Sequence, residues 1–289
     1  METDFNPYNL TYGFIGLGLI GGSMAKALRQ AFPDCSIIAF NRSEKPRIMA
    51  FSDGTANIVT DTVNDSFALC DFIFLCTPVE FNETYLDKLS SLIKPGCIIT
   101  DVGSVKGNIH KAVSERHMDS FFIGGHPMAG SEKTGYEYSD ASLCHGAIYP
   151  VTPTSRNNKA DIDNYLTIIK AMGFNPVIMT PEAHDKTAAA ISHLPHLISA
   201  GLTLLVRDNE TDEKYMRLLA STGFRDTTRI AASSPDVWRQ ICITNAENIS
   251  AMLSQYISGL EDIKKAIDNR DKDAIEKLFK ESKEYRDLF

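Results

Sequence analysis

The glycine-rich stretch that decides the fold runs Gly16-Leu17-Gly18-Leu19-Ile20-Gly21, between an apolar run at residues 12–16 and a helical pattern at residues 23–31. The spacing matches GxGxxG in the strand–turn–helix setting that this motif requires. The first glycine permits a tight turn, the second lets a pyrophosphate approach the main chain, and the third lets helix and strand pack closely. The helix N-terminus adds free N–H donors. We therefore predict a dinucleotide site at Gly16, Gly18, Leu19, Ile20 and Gly21.

Short apolar runs alternate with helical patterns through the first two thirds of the chain. The run Phe72-Ile73-Phe74-Leu75-Cys76 contains no charged residue, as expected of a strand that is covered on both faces. Strands that alternate with helices predict a parallel sheet of the doubly wound α/β class. The predicted strands cover residues 12–16, 36–40, 72–76, 97–100, 147–151 and 177–179, and a helix is predicted at residues 160–172.

The pattern changes after Pro181, beyond which no run indicates a strand. Residues 182–206 predict one long helix that contains Pro195, so a kink is expected near that proline. The boundary is placed near Thr180. The predicted fold class is a Rossmann-type α/β dinucleotide-binding domain at residues 1–180, followed by an all-α domain at residues 181–289.

Two further helices are predicted near the C-terminus. Ser234-Pro235-Asp236 is typical of a helix start, with a serine cap, a proline in the first turn and an acid near the positive end of the dipole. This helix is expected to run to about Ile267. A charged last helix is expected after Asp271.

The composition excludes several classes of protein. The 289 residues carry 29 lysines and arginines against 37 aspartates and glutamates, a formal net charge of −8, which argues against a general nucleic-acid binder. No stretch reaches the ~20 apolar residues that span a bilayer, and no signal peptide is indicated. The six cysteines include no CxxC pair and are expected to be reduced thiols of a cytoplasmic protein.

The end of the second predicted strand bears on the choice of cofactor. An acid at this place accepts a hydrogen bond from the ribose 2′-hydroxyl and repels a 2′-phosphate. The chain has Asn41, Arg42 and Ser43 here, which removes the repulsion and offers a guanidinium to a phosphate. NADP is therefore favoured over NAD. Ligands also bind beyond the carboxyl ends of such strands, so the cleft is expected to include Thr77, Pro78 and Val79.

Candidate catalytic side chains follow later strands. Ser104 lies in Asp101-Val102-Gly103-Ser104-Val105-Lys106, directly after a predicted strand, and is expected to face the cleft. His126 lies between a glycine pair and Pro127, which predicts an irregular loop of the kind that carries chemistry on a rigid scaffold.

Three further features lie in the helical part. His193 and His196 stand three residues apart on a helix face, but no third ligand is evident nearby, so no metal is predicted. Gly223 fits a cap of the preceding helix, and the residues to Arg229 predict a charged turn. Trp238 is expected in the core.

The motifs GLGLIGGS, DVGSVKG, GGHPMAGSEKTG, SHLPH and GFRDTTRIA occur in the order seen in prephenate dehydrogenases, the family that includes arogenate dehydrogenases. The resemblance covers residues from about Tyr12 to about Ile267. It implies a Rossmann-type domain followed by an all-helical dimerisation domain, and hence a homodimer. It also implies a nicotinamide cofactor, NAD or NADP, and oxidation of prephenate with loss of carbon dioxide to 4-hydroxyphenylpyruvate.

The resemblance implies a role for each matching residue. His126 resembles the catalytic histidine that takes the proton of the substrate 4-hydroxyl, and Ser104 resembles the serine that bridges that histidine and the nicotinamide. Arg229 resembles the cation that holds a substrate carboxylate. The other residues with an implied place at the substrate are His196 at the pyruvyl end, Glu132 and Asp226 as gate residues, and His193 behind them.

Alternatives remain open from the sequence. Arogenate differs from prephenate only in an amino group in place of the keto group, and no residue decides between them. A 3-hydroxy-acid reductase would need a catalytic lysine in the helical part, and a non-catalytic dinucleotide sensor would be expected to lack Ser104, His126 or Arg229. We expect no chorismate mutase or regulatory domain, so that any tyrosine inhibition would act at the active site.

Overall fold

The computed structural model describes residues 5–131 and 133–289. A five-stranded parallel sheet forms its first part, with strands in the order β3-β2-β1-β4-β5. The strands are β1 Thr11–Ile15, β2 Ser36–Phe40, β3 Ile58–Thr60, β4 Phe72–Leu75 and β5 Ile98–Asp101. The predicted parallel sheet is confirmed, and β3 is a strand that the sequence analysis missed.

Helices connect these strands and cover both faces of the sheet. The helices are α1 Leu19–Ala31, α2 Glu44–Ser52, α3 Val79–Ser90 and α4 Gly107–Glu115. All four residues of β4 are buried, and Phe14 stacks on Phe74 at 4.9 Å between ring centroids. The helix after the glycine loop begins at Leu19, four residues earlier than the predicted start at residue 23, because the glycines themselves form its first turn.

The last two predicted strands belong to a second, separate sheet of three strands. It contains β6 Ile123–Gly125, β7 Ile148–Pro153 and β8 Asn175–Ile178, with α5 Lys159–Ala171 between β7 and β8. The β6 and β7 strands pair antiparallel, whereas β7 and β8 pair parallel. An isolated bridge between Ile99 and Phe122 joins this sheet to the edge of the first.

Helices alone follow β8 in the chain. They are α6 Pro181–Ala188, α7 Leu194–Asp208, α8 Tyr215–Leu219, α9 Thr222–Thr228, α10 Pro235–Thr244, α11 Ala246–Asp268 and α12 Lys272–Arg286. Residues Ala189–His193 form a π-helical segment that joins α6 to α7. The expected irregularity near Pro195 is therefore a π segment that ends two residues before that proline.

Two predictions about these helices were wrong. The helix that begins after Ser234 does not run to Ile267, because the backbone leaves helical geometry at Asn245 and α11 starts at the next residue. Gly223 does not cap the preceding helix. It lies in the first turn of α9, so the predicted charged turn is helical as far as Thr228.

Many large apolar side chains of the helical part are exposed in the single chain. Leu205 is 60% exposed, Leu218 75% and Leu219 76%. The prediction that no stretch is apolar enough to span a bilayer needs a correction: the helix from residue 181 to residue 208 passes that test by length and composition alone, as the core helix of a soluble protein also can. The buried cluster of this part is small and joins Ala189, Ile241 and Ile249 to Val105 of the loop after β5.

Candidate active site

The glycine loop is crowded at its ends and open in the middle. Gly16 has a φ of +105°, and a Cβ atom there would lie 2.9 Å from the Cys76 carbonyl group. A Cβ atom on Gly21 would lie 2.2 Å from the Gly16 carbonyl oxygen, whereas one on Gly18 would meet no atom within 4 Å. The outer glycines therefore permit close packing, and Gly18 leaves space in front of the first turn of α1.

A cleft of about 320 Å³ lies against this loop. It brings together seven of the predicted cofactor residues: Gly16, Gly18, Asn41, Arg42, Ser43, Thr77 and Pro78. Leu19, Ile20 and Gly21 form the first turn of α1, whose N–H groups have no acceptor within the helix. Val79 does not line this cleft and faces a neighbouring groove.

The Asn41 side chain is part of the loop itself. Its Oδ1 atom accepts a hydrogen bond from the Leu17 N–H at 3.0 Å, and its Nδ2 atom donates to the Ser43 carbonyl at 3.3 Å. Arg42 is exposed, with its guanidinium 5.9 Å from the centroid of the Phe81 ring. The open space at Gly18, the helix N-terminus and the exposed Arg42 guanidinium fit a dinucleotide.

A second pocket, of about 530 Å³, contains most of the predicted chemistry. Ser104, His126, His196 and Arg229 all line it. Ser104 follows β5 and Thr77 follows β4, and these strands are parallel neighbours, so the pocket and the cofactor cleft open at the same edge of the sheet.

His126 is held more regularly than predicted. Gly124 and Gly125 belong to β6, and the His126 N–H donates to the Pro150 carbonyl at 3.1 Å, so the pairing with β7 continues past the end of the strand. His126 is the first residue of an irregular segment after β6, as predicted, and the hydrogen bonding to β7 extends into that segment. The pairing fixes the backbone of a histidine that is only 8% exposed.

A chain of hydrogen bonds assigns the protonation of His126. Asp185 Oδ1 lies 2.8 Å from His184 Nδ1, and His184 Nε2 lies 2.8 Å from His126 Nδ1. Hydrogen bonds from His184 and from backbone N–H groups lower the pKa of Asp185 despite its burial, so its carboxylate accepts the His184 proton. With the His184 Nδ1–H directed at Asp185, the His184 Nε2 atom is the acceptor of the neutral ring, and a hydrogen bond from His126 Nδ1 to it keeps the Nε2 atom of His126 as an acceptor.

The surroundings of His126 favour its neutral form. Burial lowers its pKa well below 6.5, and His184, Lys106 and His193 lower it further. An unprotonated imidazole in a pocket can accept a proton at neutral pH. The geometry therefore suits His126 to act as a general base.

His193 and His196 have different surroundings although they are one turn apart. His193 is buried outside the pocket, and its Nδ1 atom accepts from Asn245 at 3.1 Å. His196 lines the pocket, donates from Nδ1 to the Ser192 carbonyl at 2.8 Å and stacks on Trp238 at 3.8 Å between ring centroids. Trp238 is thus only partly buried and acts as a wall for His196. Across residues 5–131 and 133–289, no group of three potential ligands is placed to hold a metal ion.

Two other predicted substrate residues, His193 and Asp226, do not line the pocket. Asp226 is exposed on α9 and does not line the pocket, whereas Arg229 follows α9 and does. Glu132 lies outside the described residues. Burial lowers the pKa of His196, and the nearby Arg229 guanidinium lowers it further.

Four polar residues at the site had no role assigned from the sequence. His184 and Asp185 form the chain to His126, and Asp101 and Lys106 form a buried ion pair behind it. Asp101 and Lys106 flank Ser104 in the motif DVGSVKG, so their position beside a candidate catalytic residue could have been read from the sequence. His184 and Asp185 follow Pro181 without a distinguishing pattern, and only the packing of α6 brings them to the site.

A cofactor cleft beside a pocket with a neutral histidine defines the class of this protein: it is a dehydrogenase with a Rossmann-type nucleotide-binding domain. The model of the prephenate dehydrogenase nucleotide-binding domain matches residues 24–177, and that of the prephenate dehydrogenase dimerization domain matches residues 180–281. The chain belongs to the prephenate dehydrogenase family.

Individual relatives agree with this assignment. The prephenate dehydrogenase of Bacillus subtilis (strain 168) is 33% identical over 277 residues, which cover 94% of this chain and 74% of that protein. The crystal structure of prephenate dehydrogenase from A. aeolicus with hydroxyphenyl propionate and NAD+ has a TM-score of 0.91 and 29% identity, covering 98% of this chain and 99% of that one. Synechocystis arogenate dehydrogenase has a TM-score of 0.84 and 30% identity, covering 96% and 99%.

Proposed function

We propose that this enzyme oxidises prephenate with loss of carbon dioxide to give 4-hydroxyphenylpyruvate, a step of tyrosine biosynthesis. The observation that carries this proposal is the single pocket that joins Ser104, His126, His196 and Arg229. Prephenate has a ring carboxylate, a 4-hydroxyl group and a pyruvyl side chain. The pocket offers a cation for a carboxylate, a neutral imidazole for the hydroxyl proton and a second imidazole for the far end.

The proposed chemistry starts at the 4-hydroxyl group. The unprotonated Nε2 atom of His126 accepts its proton, and the Nδ1–H bond to His184 keeps the ring in this tautomer. Ser104 donates to the same oxygen and holds it at the cofactor side of the pocket. Arg229 binds a substrate carboxylate, and His196, held by Ser192 and Trp238, faces the side chain of the substrate.

When bound, the nicotinamide dinucleotide supplies the hydride acceptor for this oxidation. We propose NADP as the preferred form. No acid stands at Asn41, Arg42 or Ser43, the Asn41 amide is engaged by the glycine loop, and the Arg42 guanidinium is free to meet a phosphate. Substitution Arg42→Ala should weaken NADP+ binding about tenfold and leave NAD+ within threefold, since one phosphate contact is lost. Equal losses for both cofactors would contradict this preference.

Arogenate is the second candidate substrate, because Synechocystis arogenate dehydrogenase has the same fold. The deciding assay follows reduced-nicotinamide formation with prephenate and with arogenate, each with NAD+ and NADP+. The His126→Asn protein serves as the control for background oxidation. Turnover with prephenate supports the proposal. Turnover with arogenate alone would move the assignment, and no turnover from folded protein that binds a dinucleotide would overturn it.

We propose a soluble, cytoplasmic homodimer formed through the helical domain, with the domain boundary at Thr180. The exposed leucines of α7 and α8 supply an apolar surface that a second copy can cover. The proposal keeps Glu132 and Asp226 as gate residues, with Asp226 reaching across the dimer, and it leaves tyrosine to compete at the substrate pocket. Light scattering of the purified protein should give twice the monomer mass. A monomer at micromolar concentration would contradict the homodimer.

A further inference from the structure

A buried ion pair that the proposed reaction does not use lies behind the catalytic histidine. Lys106 is fully buried, and its Nζ atom lies 2.5 Å from Asp101 Oδ2 and 2.6 Å from the Gly125 carbonyl oxygen. The removal of two charges from water is costly, and an ion pair in the interior often contributes little net stability compared with apolar residues. Stability alone therefore does not account for this pair.

The pair holds the two glycines that precede the two candidate catalytic residues. Gly103 precedes Ser104, and its N–H donates to Asp101 Oδ2 at 2.9 Å. Gly125 precedes His126, and its N–H donates to Asp101 Oδ1 at 3.3 Å while its carbonyl accepts from Lys106. One carboxylate thus fixes the backbone before Ser104 and the backbone before His126.

The space around these glycines leaves little freedom for other arrangements. A Cβ atom on Gly125 would lie 2.4 Å from the Tyr149 hydroxyl oxygen. A Cβ atom on Gly103 would lie 2.8 Å from Asp101 Oδ2. Gly103 therefore packs directly against the ion pair, whereas Gly125 packs against Tyr149 and is joined to the pair by hydrogen bonds, so a shift in the pair acts on both segments.

We propose that the Lys106–Asp101 pair is a positioning device that sets the distance between Ser104 and His126 and places a fixed positive charge behind the His126 ring. The proposal rests on the proposed function, since Ser104 and His126 act together there. Neither Lys106 nor Asp101 lines the substrate pocket, so both act through the residues that do.

The positive charge of Lys106 acts on the pKa of His126 in one direction. The titratable groups that lower the pKa of this ring are His184, Lys106 and His193, with Asp101 paired to Lys106 and Asp185 paired to His184, and His196 and Arg229 line the same pocket as His126. Burial lowers the pKa of Lys106, whereas its ion pair and hydrogen bond with Asp101 favour the ammonium form, and that ammonium opposes protonation of His126. Loss of that charge should make His126 easier to protonate and should move the acid limb of the activity profile to higher pH.

The test uses the double variant Asp101→Asn with Lys106→Met, which removes both charges and leaves no unpaired ion in the interior. The matched control is Lys111→Met, an exposed lysine of the same helix that pairs with Glu115. We expect the double variant to bind the dinucleotide within threefold of the wild type. Its kcat should fall tenfold or more with the substrate KM within threefold, and the control should match the wild type.

A second readout does not need turnover. NMR of protein labelled at histidine ¹³Cε1, assigned with His126→Asn, reports the titration of His126 directly, and we expect its midpoint to rise by about half a pH unit or more in the double variant. An unchanged midpoint with unchanged kcat would overturn the proposal and leave the pair a structural role. Should the double variant fail to bind dinucleotide, Lys106→Gln takes its place, because it removes the charge and keeps a donor toward Gly125. It is then judged by the same changes in kcat, KM and the His126 midpoint.

The two readouts separate this proposal from the proposed function. If the wild type does not turn over prephenate or arogenate, the proposed function fails, while the His126 titration still tests the fixed charge. If the wild type is active and the double variant keeps full kcat, the positioning proposal fails and the function stands.

Discussion

The cofactor cleft and the substrate pocket open at the same edge of the sheet but are built in different ways. Glycines, which have no side chain, shape the cofactor cleft: Gly16 and Gly21 allow close packing, and Gly18 leaves room for the dinucleotide. Side chains present in four separate segments shape the substrate pocket, from Ser104 to Arg229. Substitutions in the cleft should therefore act by filling the room that the cofactor needs. Substitutions in the pocket should act by removing groups that bind the substrate or accept its proton.

The largest expected effect is in the pocket. Substitution His126→Asn should lower kcat by ~10²–10⁴-fold, because it removes a positioned proton acceptor, with the substrate KM largely kept. Steady-state kinetics with prephenate measures both constants. Thermal unfolding of the variant checks that the fold is intact. Near-normal turnover would remove His126 from the chemistry.

Loss of the pocket cation should act on binding rather than on turnover. Substitution Arg229→Ala should raise the substrate KM about 30-fold or more, equivalent to ~2 kcal/mol, because a carboxylate loses its partner. Arg156→Ala, an exposed arginine after β7 and outside the pocket, is the control and should change neither constant. A KM that stays at the wild-type value would refute the role of Arg229.

Two alanine substitutions in the glycine loop should have different effects, one on dinucleotide binding and the other on the stability of the fold. Gly18→Ala should fold normally, because no atom lies within 4 Å of the added methyl group, yet it should weaken dinucleotide binding about tenfold or more. Gly21→Ala should lower the free energy of unfolding by ~1–3 kcal/mol, because the methyl group would meet the Gly16 carbonyl oxygen. Chemical denaturation and calorimetric titration distinguish them. Similar losses of affinity and of stability in both variants would contradict the difference expected between Gly18 and Gly21.

The smallest expected effect concerns pH. The lowered pKa of His126 means that the imidazole is still neutral at pH 6.5, its usual midpoint, and that it becomes protonated only at lower pH. The kcat should therefore stay on its plateau from pH 8 down to pH 6.5 and fall below that. A kcat profile at saturating substrate is the measurement. An inflection at or above pH 6.5 would contradict the buried, neutral histidine.

The sequence predicted the features that depend on neighbours along the chain. The glycine loop, the buried run that became β4 and the wholly helical character after Pro181 all follow from local patterns of residues. The predicted strand at residues 36–40 matches β2. These signals are strong because each residue type has a direct conformational or packing reason to be there.

Features that depend on tertiary partners could not be predicted in the same way. The break at Asn245 follows from its buried amide, which donates to the Asp185 carbonyl and contacts His193, and no local signal interrupts the helical pattern there. The second sheet forms because β6 pairs antiparallel with β7, a strand that follows a long loop. The role of His184 becomes visible only when α6 packs against the end of β6.

The π segment Ala189–His193 controls the phase of the long helix on which the site depends. A π turn accommodates one residue more than an α turn, and each residue of an α-helix advances the direction of a side chain by ~100°. The extra residue is therefore taken up inside the segment, and the side chains on either side keep the directions they would have in a regular α-helix that is one residue shorter. Deletion of Ala190 should let the segment return to α geometry and leave His196 in the pocket, whereas a one-residue deletion within α7 before His196 should turn that side chain by about a quarter turn relative to His184 and Asp185. A single-residue gap at residues 189–193 in an alignment would thus mark a relative with a regular helix and the same substrate pocket.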